Sequence, residues 1–182
     1  MKFIETPLKG LYVIEPRKIE DERGLFTRTF CKREFAEIGF EKEFVQYNHS
    51  FNLKKGTTRG MHYQYKPFSE TKLIRCVQGK VFDVAVDIRQ GSSTFLQYFG
   101  VELSQDNMVS MFIPEGFAHG FQTLEDNSSL IYHHSEYYTL EADAGIRHND
   151  EALNIIWPLS TVILSEKDKY YPLLTENFIG LI

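Results

Sequence analysis

The sequence predicts an all-β fold, a sandwich or a barrel, with the jelly roll as one solution. Short extended runs rich in Val, Ile, Phe and Tyr recur along the chain, and turn residues separate them. Helical patterning is confined to two short stretches, one near each end.

The elements follow in chain order. Residues 31–39 form the first helix candidate: Phe35 and Ile38 are three apart, and Gly39 can end the helix in a left-handed conformation. Residues 59–64 read as extended, with Gly60, His62 and Gln64 on one side. Residues 73–77 and 81–86 flank Gln78-Gly79-Lys80 and read as a hairpin. In its second arm Phe82, Val84, Val86 and Ile88 share a greasy face, expected to pack outside against a sheet or a partner. Val81, Asp83, Ala85 and Asp87 share the other face, which suits a functional lumen. Further strands fall at residues 98–103, 109–113 and 130–138. On the last of these, Tyr132, His134, Glu136 and Tyr138 share a face if the strand is regular. Ser165 starts the second helix.

Length and composition bound the function. A chain of 182 residues suits one domain, and 42% hydrophobic with 25% charged residues is ordinary for a globular protein. A net charge of -5 argues against a nucleic-acid binder. No apolar run reaches a membrane span, and the opening residues lack a signal-peptide core. Cys31 and Cys76 have no Cys-x-x-Cys spacing, so the expected compartment is the reducing cytoplasm.

Several polar residues sit where chemistry is possible. His62 has Gly60 beside it on its own face; it is a base candidate, or else a surface or hydrogen-bonded core histidine. Lys72 aligns with Ile74 and Cys76, so it is a snorkelling edge residue or a cation held in a pocket. His119, between small residues after a Pro-x-Gly turn, is a capping residue or a second imidazole in the lumen. Asp168 completes Ser-x-x-Asp, a helix cap or a partner for His62. His62, Gln64, Glu70 and His119 are possible metal ligands, but the neutral Gln64 amide is a poor one, and no metal is expected.

Together the motifs closely resemble the dTDP-4-dehydrorhamnose 3,5-epimerase family. They are Asp-Glu-Arg-Gly (21–24), Arg-Gly-Met-His-Tyr-Gln (59–64), Lys-Leu-Ile-Arg-Cys (72–76) and Val-Phe-Asp-Val-Ala-Val-Asp-Ile-Arg (81–89), followed by Ile-Pro-Glu-Gly-Phe-Ala-His-Gly-Phe (113–121), Ile-Trp-Pro (156–158) and Leu-Ser-Glu-Lys-Asp (164–168). The resemblance implies a double-stranded β-helix (jelly-roll, cupin-like) barrel with a few short helices, a single domain over residues 1–182, and a homodimer. It implies no metal or cofactor, and a dTDP-linked 4-keto-6-deoxy sugar as substrate. By the same resemblance His62 is the proton acceptor, Asp168 its paired acid, Tyr132 the proton donor and Lys72 the cation near the keto oxygen. Tyr138 stacks on the thymine, Asp83 accompanies His119, and Arg23, Gln46, Asn48, Arg59, His119, Asp143 and Lys167 contact the ligand. The chain departs from the family pattern at Arg28, Tyr47, Asp143 and His148, around nucleotide and sugar contacts.

This set suits proton transfer beside a carbonyl. Removing a proton from C3 or C5 of a 4-keto sugar gives an enolate, and returning it from the other face inverts the carbon. That needs a base, an opposed acid and a positive charge at the oxygen. Three other readings stand beside it: a single-carbon epimerase or ketoisomerase, a metal-dependent cupin, and a non-catalytic sugar-nucleotide binder.

Overall fold

The computed structural model describes residues 1–181. Strands β1 (Lys2–Glu5) and β2 (Tyr12–Glu15) open the chain, followed by a hairpin of β3 (Lys18–Asp21) and β4 (Gly24–Thr27). Helix α1 (Lys32–Ala36) lies within the expected stretch, and Gly39 follows it with φ 82°. Then come β5 (Gln46–Asn52), β6 (Thr58–Gln64), β7 (Lys72–Gln78), β8 (Lys80–Asp87), β9 (Tyr98–Ser104), β10 (Ser110–Ile113), β11 (Phe117–Thr123), β12 (Ser128–His134) and β13 (Asp143–Gly145). Helix α2 (Glu166–Tyr170) comes last.

A six-stranded sheet of order β1-β2-β10-β7-β12-β5 faces a five-stranded sheet of order β13-β6-β11-β8-β9. This is the cupin-like jelly roll. Alternation sends Ile74, Cys76, Met111 and Leu130 of the first sheet and Val81, Ala85, Leu103 and Phe121 of the second into one buried core. Phe35 and Phe40 close the other side of the six-stranded sheet over Ile14, Leu73 and Phe112.

Three local expectations need correction. First, residues 73–88 are not a hairpin. β7 bonds to β10 and β12, whereas β8 bonds to β9 and β11 in the other sheet. Both edges of each strand are occupied, so the short link at Gly79 (φ 68°) carries the chain from one sheet to the other. Second, the strand expected over residues 130–138 stops at His134. Ser135 Oγ accepts the Thr71 amide while the Ser135 amide donates to Thr71 O, and the chain leaves the ladder there. Tyr138 and Glu136 therefore do not share a strand face with Tyr132. Third, the greasy face of β8 is covered by the chain's own C-terminal segment, including Leu153, Trp157 and Phe178, rather than by a sheet or a partner.

One irregularity decides what faces the barrel interior. Between β6 and β11, His62 pairs with His119 but Arg59 pairs with Phe121, so β6 carries one extra residue. Simple alternation would put Arg59 and His62 on opposite sides; the bulge at Gly60 turns both inward. Gly60 has φ 123°, and a Cβ there would meet Gly120 Cα at 2.5 Å and His119 O at 2.8 Å. We expect Gly60→Ala to lower stability by about 3 kcal/mol or more, from backbone strain and steric clash together. A urea midpoint close to that of the parent would show that the strands can part at this point.

Candidate functional site

A cavity of about 240 Å³ opens between the two sheets. Its lining includes Asn48 and Ser50 from β5, Arg59 and His62 from β6, Lys72 from β7, His119 from β11, and Tyr132 and His134 from β12. Each strand delivers its residues by alternation, except at the Gly60 bulge.

His62 is about one-third exposed, and its Nε2–H donates to Asp168 Oδ1 at 2.6 Å. Asp168 is buried, and its own amide donates to Ser165 Oγ at 3.1 Å. The helix-cap and histidine-partner readings of Asp168 are thus both true: the cap fixes the backbone, and the carboxylate reaches His62. Burial pushes the Asp168 carboxyl up, but the His62 imidazole and the Gly60 amide outweigh it and hold it below the usual range.

Tyr132 is enclosed beside two imidazoles. Its hydroxyl lies 3.3 Å from Ser50 Oγ, and its ring is 6.0 Å from that of His119 and 6.0 Å from that of His134. Burial raises its hydroxyl pKa, so it holds its proton at neutral pH. His119 Nε2–H donates to Asp83 Oδ1 at 2.8 Å. Burial pushes the Asp83 carboxyl up and the His119 imidazole down, so the barrel interior favours neither charge. Lys72 is a pocket cation, not an edge residue: its ammonium donates to His62 O at 3.4 Å and pairs with Glu70 at 3.1 Å.

A second group of candidates adjoins the cavity at Asn48. The Tyr138 amide donates to Gln46 Oε1, and Gln46 Nε2 donates to Asn48 Oδ1. The Tyr138 hydroxyl donates to Asp143 at 3.2 Å, and Asp143 also pairs with Lys167. Tyr138 is half exposed. Arg59 donates to Asn52 at 2.8 Å.

Arg23 is not brought to this site. It sits on the β3–β4 hairpin, exposed and paired with Asp21. Of the departures from the family pattern, Arg28 pairs with Glu34, Tyr47 packs edge-on against His133, and His148 accepts the Trp157 indole N–H at its carbonyl. Sequence reasoning gave Glu70 and His134 no role beyond a possible metal ligand and a place on a strand face. The available signal was their spacing of two residues from Lys72 and from Tyr132.

The possible metal ligands do not converge. The Gln64 amide is engaged by Phe68 O, Tyr137 O and the Thr139 amide, and Glu70 is held by Lys72 and His134. Among the described residues no three His, Cys, Asp or Glu side chains are grouped to hold a metal ion.

The family model described as dTDP-4-dehydrorhamnose 3,5-epimerase matches residues 5–176. The dTDP-4-dehydrorhamnose 3,5-epimerase of Methanothermobacter thermautotrophicus is 46% identical, with 99% of this chain and 98% of that protein covered. A crystal structure of the Bacillus anthracis enzyme of that name, with TDP and PPi bound, superposes with a TM-score of 0.92 at 43% identity, covering 95% of this chain and 99% of that one. The dTDP-6-deoxy-D-glucose-3,5-epimerase of Legionella pneumophila, in complex with dTDP-4-keto-L-rhamnose, gives 0.90 at 42% identity, covering 94% of this chain and 92% of that one.

The depressed Asp168 pKa carries a stability signature. Its contribution is complete above the ordinary value of 3.8 and is lost as pH falls below it. Asp168→Asn should therefore be less stable than the parent at pH 7, with the difference shrinking on acidification below about pH 4. Urea midpoints across pH measure this; a constant difference would mean that Asp168 is not stabilised as the anion.

Proposed function

Since the chain belongs to the dTDP-4-dehydrorhamnose 3,5-epimerase family, we propose that it inverts C3 and C5 of dTDP-4-keto-6-deoxyglucose, giving dTDP-4-dehydrorhamnose through an enolate. The observation that carries this reading is the convergence of His62, Tyr132 and Lys72 on one cavity, with Asp168 behind His62.

His62 is the base. Asp168 orients its ring and stabilises the imidazolium that forms when the far ring nitrogen takes the carbon-bound proton. Tyr132 is the acid that protonates the enolate from the other side; burial keeps its hydroxyl protonated until that step. Lys72 supplies positive charge to the oxygen as the enolate develops. Arg59 binds the diphosphate through charge-assisted hydrogen bonds, and His119 contacts the ligand with its ring set by Asp83. Gln46, Asn48, Tyr138, Asp143 and Lys167 hold the nucleoside end, Tyr138 by stacking on the base. The reaction needs no redox step, and neither metal nor cofactor enters it.

We place residues 1–182 in one cupin-like epimerase domain working in the cytoplasm as a homodimer. No helix among the described residues is long and apolar enough to cross a membrane. The outer face of the six-stranded sheet supports the dimer. Arg75 Nε is buried there without a partner among the described residues, and Tyr47, Phe51 and Val77 are exposed. The β3–β4 hairpin adds exposed Ile19 and Phe26. A second copy covering these surfaces would also give Arg23 a ligand to contact.

Incubation with dTDP-4-keto-6-deoxyglucose in deuterated water tests the reaction. Deuterium should enter both C3 and C5; incorporation at one carbon would make the chain a single-carbon epimerase. His62→Asn should cut exchange at both carbons by roughly 10²–10⁴-fold, and near-parental turnover would remove His62 from the base role. Tyr132→Phe should still exchange solvent deuterium but form little inverted product; inversion at the parental rate would assign the proton to another donor. Activity should survive exhaustive chelation, and its loss with rescue by one divalent ion would overturn the metal-free reading. Light scattering should give twice the mass of one chain, and a monomer would remove the dimer.

A further inference from the structure

Behind the cavity wall lies a carboxylate that the reaction as described does not use. Glu70 precedes β7 by two residues, and its side chain is only 10% exposed. One oxygen is 3.1 Å from the Lys72 ammonium; the other accepts the Nδ1–H of His134 at 2.6 Å. Burial alone would push the Glu70 carboxyl up, but the Lys72 charge and the His134 hydrogen bond outweigh it and hold the carboxyl at about 2. The cavity is lined by Lys72 and His134 but not by Glu70, so Glu70 reaches any bound molecule only through them.

The hydrogen bonds around His134 have a single direction. Gln46 Nε2 donates to Asn48 Oδ1, which leaves the Asn48 amide N–H pointing at His134 Nε2, 3.1 Å away. His134 therefore accepts at Nε2 and donates at Nδ1, the neutral tautomer that Glu70 requires. The ring is also locked by lying parallel to Tyr132, with 12° between their planes. Glu70 is thus clamped on one side so that its other oxygen stays in place.

We propose that Glu70 and His134 are positioning residues for Lys72: His134 fixes Glu70, and Glu70 anchors the lysine ammonium at the point where it meets the substrate. The inference rests on the epimerase reading for what Lys72 does, but not for how Lys72 is held. A lysine has four rotatable bonds and a freely rotating charge. A buried, doubly held counter-ion converts it into a charge of defined position, which is what stabilisation of a developing oxyanion demands.

Glu70→Gln keeps the shape but removes the charge and turns one of the two accepting oxygens into a donor, so that Lys72 and His134 can no longer both be held. It should lower kcat by about 10- to 100-fold, the scale on which outer partners of functional groups act, with KM for the nucleotide sugar little changed. His134→Phe should lower kcat in the same way, and His134→Asn, which keeps a donor near the Nδ1 position, should lose less. In a Lys72→Met background, Glu70→Gln should have no further effect on the residual rate. Acylation of lysines read by mass spectrometry is the companion measurement: Lys72 should label faster in Glu70→Gln than in the parent, while other lysines keep their rates. Parental kcat and parental Lys72 labelling in Glu70→Gln would overturn the inference, as would equal losses from Glu70→Gln with and without Lys72. If the parent itself fails to convert the sugar while Lys72 labelling rises as expected, the epimerase reading fails and the anchoring of Lys72 stands.

Discussion

Strands β6 and β11 approach so closely at Gly60 and Gly120 that neither position has room for a Cβ. A Cβ on Gly120 would lie 2.6 Å from Arg59 O and 3.1 Å from Gly60 Cα. This contact permits the extra residue in β6, and the extra residue turns Arg59 and His62 to the same side. It also points the Gly60 amide at Asp168, 3.4 Å away. Without the close approach, the barrel wall would present either the guanidinium or the imidazole to the cavity, but not both.

The interior that results is unusually polar for a barrel core. Three carboxylates stand beside three imidazoles: Asp168 with His62, Asp83 with His119, and Glu70 with His134. Isolated charges of this kind are costly to bury, and pairing is what makes them tolerable. The pairs differ in their surroundings. Among the described residues Asp83 is paired with His119 alone, and burial wins, whereas Glu70 has Lys72 as well as His134 and remains ionised. Similar residue types thus give one pair that resists carrying charge and another that fixes a charge in place.

The sequence made the strand faces legible wherever a strand was regular. Ile74 and Cys76 point into the core, and Phe82, Val84, Val86 and Ile88 point out, as alternation requires. The resemblance of ordered motifs carried the family, and the cavity gathers His62, Lys72, His119 and Tyr132. What alternation could not carry were the departures from regularity. The inward turn of Arg59 depends on a bulge, and the end of β12 depends on Ser135 bonding to Thr71, a residue 64 positions away. The link at Gly79 has the length of a hairpin turn, and only the occupied edges of its flanking strands reveal that it changes sheets. The pairing of Glu70 with His134 was not legible for a similar reason, since it is a contact between distant parts of the chain.

Asp168 belongs to the segment that covers the outside of the five-stranded sheet, not to the barrel it serves. That cover is anchored by side chains such as Leu153, Trp157 and Phe178, and apart from the short β13 and isolated bridges it adds no strand to either sheet. Elements held in this way open at a lower free energy than the ladders beneath them. Peeling back the stretch that carries α2 would take the carboxylate from His62 while β6, β11, β8 and β9 stayed paired with one another. The His62–Asp168 pair thus joins two layers of the molecule, and its integrity depends on the cover as well as on the barrel.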